Sequence, residues 1–228
     1  MSEATPTVSM LMPAYDSERY IADAIASLQT QAPCDLEIVV VDDGSQDSTA
    51  QIVREVAAGD PRVHLLQGPH RGVAAARNLA LGAARGRLIG FLDSDDLCPP
   101  GRIDRQLRKL ADAPEVCAIV GELLLFETLK EDLSPKPGTK TEQVLGISLT
   151  TALFRREVFN RYGTFDETLA YGEDLDFYLR LIEAEERILI EREVATLYRR
   201  HATNMTHQKT DMARSFLRVM HKSISRRR

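Results

Sequence analysis

Leu36-Glu37-Ile38-Val39-Val40-Val41-Asp42-Asp43-Gly44-Ser45 is the stretch on which the fold turns. Its first six residues are β-branched and nearly all apolar, the composition of a strand covered on both faces in a parallel sheet. Asp42-Asp43-Gly44 then breaks the run with a strong turn signal. Asp47 or Ser48 is placed to cap a helix that carries Ile52, Val53 and Val56 on one side. Strand, acidic turn and helix make the first half of a βαβ unit.

The same unit recurs on both sides. Upstream, Thr7 to Met12 reads as a buried strand, and Pro13-Ala14-Tyr15 follows it. Pro13 has no N–H for a sheet ladder, so pairing is expected to stop there. Asp16 or Ser17 then caps a helix with Tyr20, Ile21, Ala24, Ile25 and Leu28 on one stripe. Downstream come a strand from Arg62 to Leu66, an Ala-rich helix from Gly72 to Ala84, and a strand from Leu88 to Leu92. Alternation of this kind predicts an α/β fold with a mainly parallel sheet flanked by helices. Right-handed crossovers bring its strand-to-helix loops to one edge, the edge where open α/β sheets bind ligands. Three such loops are Pro13-Ala14-Tyr15, Asp42-Asp43-Gly44 and Asp93-Ser94-Asp95-Asp96. The last holds an Asp-x-Asp pair, a source of hard oxygen ligands for Mg²⁺ or Mn²⁺ when a diphosphate completes the shell.

Beyond this, Ile103 to Leu110 reads as a helix and Val116 to Phe126 as a strand. From 128 to 142 the chain is rich in Lys, Glu, Asp, Thr, Pro and Gly, and a mobile loop is expected. The rest predicts a strand from Ser148 to Phe154, a helix from Arg156 to Tyr162, and a helix opened by Glu173-Asp174-Leu175-Asp176. In that second helix Leu175, Leu179 and Ile182 are expected inward. Strands at Ile188 to Ile190 and Val194 to Tyr198 follow, then a basic helix within 207–228 with Phe216, Leu217, Met220 and Ile224 on one side.

Composition narrows the class. A chain of 228 residues suits one large α/β domain. A net charge of −5 argues against a general nucleic-acid binder. No apolar run approaches the roughly 18–20 residues that span a bilayer, and Met-Ser-Glu-Ala-Thr-Pro lacks the regions of a signal peptide. Cys34, Cys98 and Cys117 have no metal-ligand spacing, so free thiols in a reducing cytoplasm are expected.

Seven segments in order resemble a family 2 glycosyltransferase of the inverting type with the GT-A fold. They are Pro13-Ala14-Tyr15, Val41 to Ser45, Gly72 with Ala76-Arg77-Asn78, Leu92 to Asp96, Gly163 to Glu167, Gly172 to Asp176, and Tyr198 to His201. The resemblance covers roughly residues 7 to 206. It implies one domain over 1–228: a nucleotide-sugar half at 7–127, the loop at 128–142, an acceptor and catalytic half at 143–206, and the basic C-terminal helix. The implied donor is a nucleotide sugar, expected to be UDP-linked, and the acceptor a hydroxyl of a glycan or lipid-linked molecule.

The resemblance also assigns residues. Tyr15 stacks on the nucleobase with the Pro13 backbone beside it, and Asp43 accepts a base N–H. Arg77 pairs with the diphosphate or orients the acidic loop. Asp93 and Ser94 face the ribose or steady that loop, Asp95 is the metal ligand, and Asp96 has no assigned role. Asp174 is the general base and Glu173 holds the acceptor or the loop. His201 reaches the metal or diphosphate, although its pattern alone fits a surface histidine equally. His64, His70, His207 and His221 have no ligand spacing and no role. One departure is Asp16, where the family usually has Asn.

Two rival classes have different requirements. A sugar-1-phosphate nucleotidyltransferase needs a Gly-rich basic loop after the first strand, which Pro13-Ala14-Tyr15-Asp16 is not. A nucleotide-sugar-binding scaffold would not need intact Asp95 and Asp174. The basic tail fits peripheral contact with the inner face of an anionic membrane; packing on the domain or pairing two subunits is the other reading.

Overall fold

The structure is a computed structural model that describes residues 5–31, 35–130, 133, 135–136, 138–146, 148–201, 204 and 209–227, the side chains of 209–211 excepted. Four strands form its first half: β1 (Val8–Ala14), β2 (Leu36–Asp42), β3 (Val63–Gln67) and β4 (Leu88–Phe91). All four run parallel, in the order β3-β2-β1-β4. The second half adds β5 (Ala118–Phe126), β6 (Glu142–Val144), β7 (Ala152–Arg155) and β8 (Ile188–Arg199). Here β7 pairs antiparallel with both β4 and β5, so the two halves share one eight-stranded sheet. β6 runs antiparallel to β5, and β8 runs parallel to it.

Alternation along the strands divides the core into two layers. Leu11 of β1 and Val39 and Val41 of β2 face one layer. Met10, Met12, Ile38 and Val40 face the other. The first layer is covered by α3 (Val73–Ala83), α5 (Glu157–Tyr162) and α6 (Glu173–Glu183), and the second by α1 (Ile21–Gln29), α2 (Thr49–Gly59) and α4 (Arg102–Asp112). Sheet residues of period two packed between two helical layers are what the buried strands predicted. Phe91, Phe154, Phe159, Phe165 and Phe177 fill the first layer, with Phe159 and Phe177 stacked at 4.8 Å.

Several elements differ from the sequence reading. Pro13 does not end the pairing: β1 continues to Ala14, with Pro13 opposite Val41. The alternating backbone explains this. Thr7 and Leu11 carbonyls accept from β4 and its flank, whereas the Ala14 carbonyl accepts from Asp43 on the β2 side. Pro13 shares the parity of Leu11, so its missing donor faces the β4 side, where the ladder has already stopped at Phe91. Regular α1 begins only at Ile21, after a turn in which the Ser17 carbonyl accepts from Tyr20 and Ile21. Residues Leu149–Thr151 form a 3₁₀ turn capped by Ser148, so the strand there starts at Ala152. The two predicted C-terminal strands are one, β8, with a register shift opposite Val120–Leu123.

α6 also turns a different face inward. Phe177, Tyr178 and Leu181 are buried while Ile182 is 56% exposed, because the cluster α6 meets is the aromatic one. In 128–142 the described residues include the bridge Leu129↔Pro135 and the start of β6, and Leu129 and Leu133 pack on Leu97, Phe126 and Leu197. Residues 131, 132, 134 and 137 of that predicted loop, like Cys34 and His207, lie outside the described residues; Cys98 and Cys117 are free and buried. Among the described residues no helix is long and apolar enough to cross a membrane.

Candidate active site

Arg77 is the centre of the site. It lies on α3, 6% exposed, and its two terminal nitrogens go to two different segments. One donates to Asp93 at 2.9 Å, at the end of β4; the other donates to Glu173, the first residue of α6. Asp174 also lies within its electrostatic reach. Burial alone would lower the guanidinium, but Asp93, Glu173 and Asp174 outweigh it and hold Arg77 above the usual arginine range. Three carboxylates thus share one cation. The surplus negative charge shows in the acids themselves: burial pushes Glu173 and Asp174 up, and Arg77 only partly offsets it. The Asp174 carboxylate accepts from the Leu175 amide at 2.7 Å. Gly172 opens α6 at φ 78°, a left-handed value that glycine adopts without strain.

Other contacts hold the loops around this centre. Ser94 and Ser17 share a hydrogen bond of 2.7 Å, and both are buried. Asn78, one residue after Arg77, brackets Phe165: its amide donates to the Phe165 carbonyl and its oxygen accepts the Phe165 N–H, each at 2.9 Å. Asp176 pairs with Arg180 and Arg226, so it ties helices together.

Tyr15 and Asp43 stand at the sheet edge where β1 and β2 finish. Tyr15 is 46% exposed beside a buried Pro13, and Asp16, a carboxylate where Asn is the family habit, pushes its phenol up. Asp16 adopts φ 45° and accepts from the Gln46 amide at 2.8 Å. Asp43 is buried, and its two oxygens accept from the amides of Arg71 at 3.1 Å and Gly72 at 2.7 Å. It therefore fastens the start of α3 to the end of β2, leaving only its remaining lone pairs for a base. Asp42 keeps the turn, accepting from Ser45.

The sequence reading gave His70 no role, yet the ring lies 4.7 Å from the Tyr15 ring with Nδ1 2.9 Å from the Asp43 carbonyl. Its φ of 56° lies in the left-handed region that few non-glycine residues adopt. No spacing rule finds such a residue, because the contact depends on how the loop after β3 folds back.

Beyond the end of β4, Asp95 meets His201. The Asp95 carboxylate lies 2.8 Å from His201 Nε2, and Asn204 approaches the same oxygen at 3.4 Å. Asn204 also accepts the His201 N–H at 2.6 Å, a role the sequence reading missed although it lies only three residues on. The His201 ring stacks on Tyr20 at 4.8 Å. Asp96 is fully buried: one oxygen accepts from the Arg199 amide at 2.9 Å and the other has no hydrogen-bond partner among the described residues. Burial, then the charges of Asp95 and Asp93, push it well above the ordinary carboxylate range. Burial and Asp93 push Asp95 up as well, against the pull of His201.

This corner suits a divalent cation in its donor chemistry. A carboxylate and an imidazole nitrogen already meet there, beside the buried Asp96 carboxyl with its one unbonded oxygen. Two side chains do not complete a shell, and among the described residues no group of three or more His, Cys, Asp or Glu is arranged to enclose an ion.

Comparison with known proteins fits this geometry. The sequence profile described as glycosyl transferase family 2 matches residues 9–163. The chain is 30% identical over 219 residues to the uncharacterized glycosyltransferase EpsJ of Bacillus subtilis, covering 88% of this chain and 63% of that protein. Its fold resembles the mannosyltransferase PcManGT of Pyrobaculum calidifontis, solved with GDP-Man and Mn²⁺, at a TM-score of 0.73 and 23% identity over 98% of this chain and 65% of that one. It resembles residues 1–349 of TarS from S. aureus, solved with UDP-GlcNAc, equally well: TM-score 0.73, 22% identity, 93% and 65% coverage. The chain thus spans about two thirds or less of the length of each of these proteins.

Proposed function

The chain belongs to glycosyl transferase family 2, and from that premise we propose that it moves a sugar, with inversion, from a UDP-linked donor to a hydroxyl of a glycan or lipid-linked acceptor. The observation that carries this reading is the shared grip of Arg77 on Asp93 and Glu173. It ties the Asp-x-Asp loop to the N-terminus of α6, which supports donor and base groups acting on the same bond.

Asp174 is the general base. It takes the proton of the acceptor hydroxyl as that oxygen attacks the anomeric carbon, while the bond from that carbon to the diphosphate oxygen breaks on the opposite side. A carboxyl raised by burial is better matched to this task than an ordinary aspartate. Glu173, held by Arg77, fixes the turn that presents Asp174. Tyr15, with Pro13 beside it, offers the nucleobase an aromatic face, a contact worth on the order of 1–3 kcal/mol per base. Asp43 presents its remaining lone pairs to the base edge, and Asp93 and Ser94 line the ribose side. Asp95 and His201 would hold Mn²⁺ or Mg²⁺, which when bound would offset the negative charge of the departing diphosphate.

A thermal-shift panel of nucleoside diphosphates with and without Mn²⁺ tests the donor side. UDP with Mn²⁺ is expected to raise Tm, and Asp95→Ala to remove the metal-dependent part. Ligand at a hundredfold its Kd stabilises by about 2.7 kcal/mol. Asp174→Asn is expected to keep that shift and to slow transfer by about 10²–10⁴-fold. No shift with any nucleoside diphosphate would overturn the reading; full activity in Asp174→Asn would overturn the assignment of the base.

A further inference from the structure

The C-terminal helix α7 (Lys209–Arg226) packs on the domain through its less apolar side. Ser215, Val219 and Ser223 are the buried residues, with Val219 against Gly172 at the start of α6. Charged ties reinforce this seam. Lys222 donates to Asp166, and Arg226 pairs with Asp176 at 2.8 Å and Glu183 at 2.7 Å. The residues that usually drive helix packing lie outside it. Met212 is 38% exposed, Phe216 52%, Leu217 68% and Ile224 46%. With half-buried Met220 they fall within an arc of about 140° at 3.6 residues per turn. Arg214 and Arg218, both exposed, continue round the helix from Leu217.

We propose that this outward face of α7 seats the protein on an anionic lipid surface. Charge favours that occupant. The last twenty residues hold seven Lys or Arg against Asp211, a net +6 on a chain whose total is −5. An apolar stripe flanked by arginines matches the headgroup–acyl boundary of an anionic bilayer, where the apolar side chains enter and the guanidinium groups meet phosphate. A second copy is the poorer occupant, because a two-fold contact is made by the same surface on both subunits. Two helices of net +4 would then lie face to face.

The seam also sets what the membrane would lie beside. Val219 meets Gly172, two residues before Asp174, so the seated helix abuts the element that carries the proposed base. Lipid seating is independent of which donor or acceptor the site takes.

The test uses the full chain with vesicles of phosphatidylcholine, with and without phosphatidylglycerol, in co-sedimentation. Binding is expected only with the anionic lipid and is expected to weaken as salt is raised. Arg214→Gln with Arg218→Gln should weaken it on the order of tenfold, and Phe216→Ser with Leu217→Ser should abolish it. Phe216 and Leu217 are exposed, so Tm of that variant without vesicles should not move. Equal binding to neutral vesicles, or wild-type binding by the variants, overturns the proposal. So does dimerisation of the wild type that Phe216→Ser with Leu217→Ser abolishes. The nucleotide-induced Tm shift is read alongside: its absence in wild type speaks against the donor reading and leaves the lipid proposal intact.

Discussion

Arg77 faces three carboxylates with one charge, and the energetics of the site follow from that imbalance. Removing one partner of a buried pair leaves the other charge uncompensated, at a cost of about 3–5 kcal/mol. Arg77→Met should therefore lower unfolding stability by about that amount in a urea titration, and abolish transfer, because Asp93 and Glu173 lose their common holder. A loss smaller than about 1 kcal/mol would show that the pair is no stronger than a surface one. Gly68 makes a second prediction at this scale. A Cβ there would lie 2.7 Å from the Asp43 carboxylate, and overpacking of this kind costs about 1–3 kcal/mol. Gly68→Ala should lower Tm and weaken UDP binding in calorimetry by moving Asp43; unchanged binding would remove Asp43 from the nucleobase end.

The segment from Thr164 to Glu167 has no regular structure, and three elements hold it. Asn78 of α3 brackets Phe165, Arg180 of α6 donates to the Thr164 carbonyl at 2.7 Å, and Lys222 of α7 donates to Asp166. Burial pushes the Asp166 carboxyl up, but Lys222 and Thr168 overcome it and bring it to about 2. A carboxylate depressed on folding stabilises the protein above its unfolded value of about 4 and loses that contribution as pH falls towards 2. Stability in urea should fall through this window, and Lys222→Met should flatten that fall by removing the ammonium. An identical acid limb in Lys222→Met would mean that other carboxylates dominate it.

The whole molecule is one sheet. β7 joins β4 to β5, and Arg77 crosses from the first half to the second, so neither half has a complete core of its own. Urea unfolding should accordingly give one transition, with far-ultraviolet circular dichroism and tyrosine fluorescence coinciding. Two separated transitions would show that residues 7–127 and 143–206 fold as independent units.

Period and punctuation carried most of the fold. Leu36 to Val41, closed by Asp42-Asp43-Gly44, is long enough and apolar enough to be a central strand whatever surrounds it, and the three repeats of that unit place the acidic loops on one edge. The residues proposed for the donor and the metal were named from the resemblance of those loops to a known family. What failed was partner-dependent. Which side of α6 goes inward depended on an aromatic cluster gathered from β4, β7, α5 and Phe165. His70 and Asn204 joined the site through loop folding that no local pattern encodes. Sequence by itself determined the strands, the helices and the list of reactive side chains, because backbone period and turn chemistry are local. Only tertiary structure decided that Arg77 is a buried clasp between two carboxylate-bearing segments, because an arginine's role is set by what lies across the fold from it.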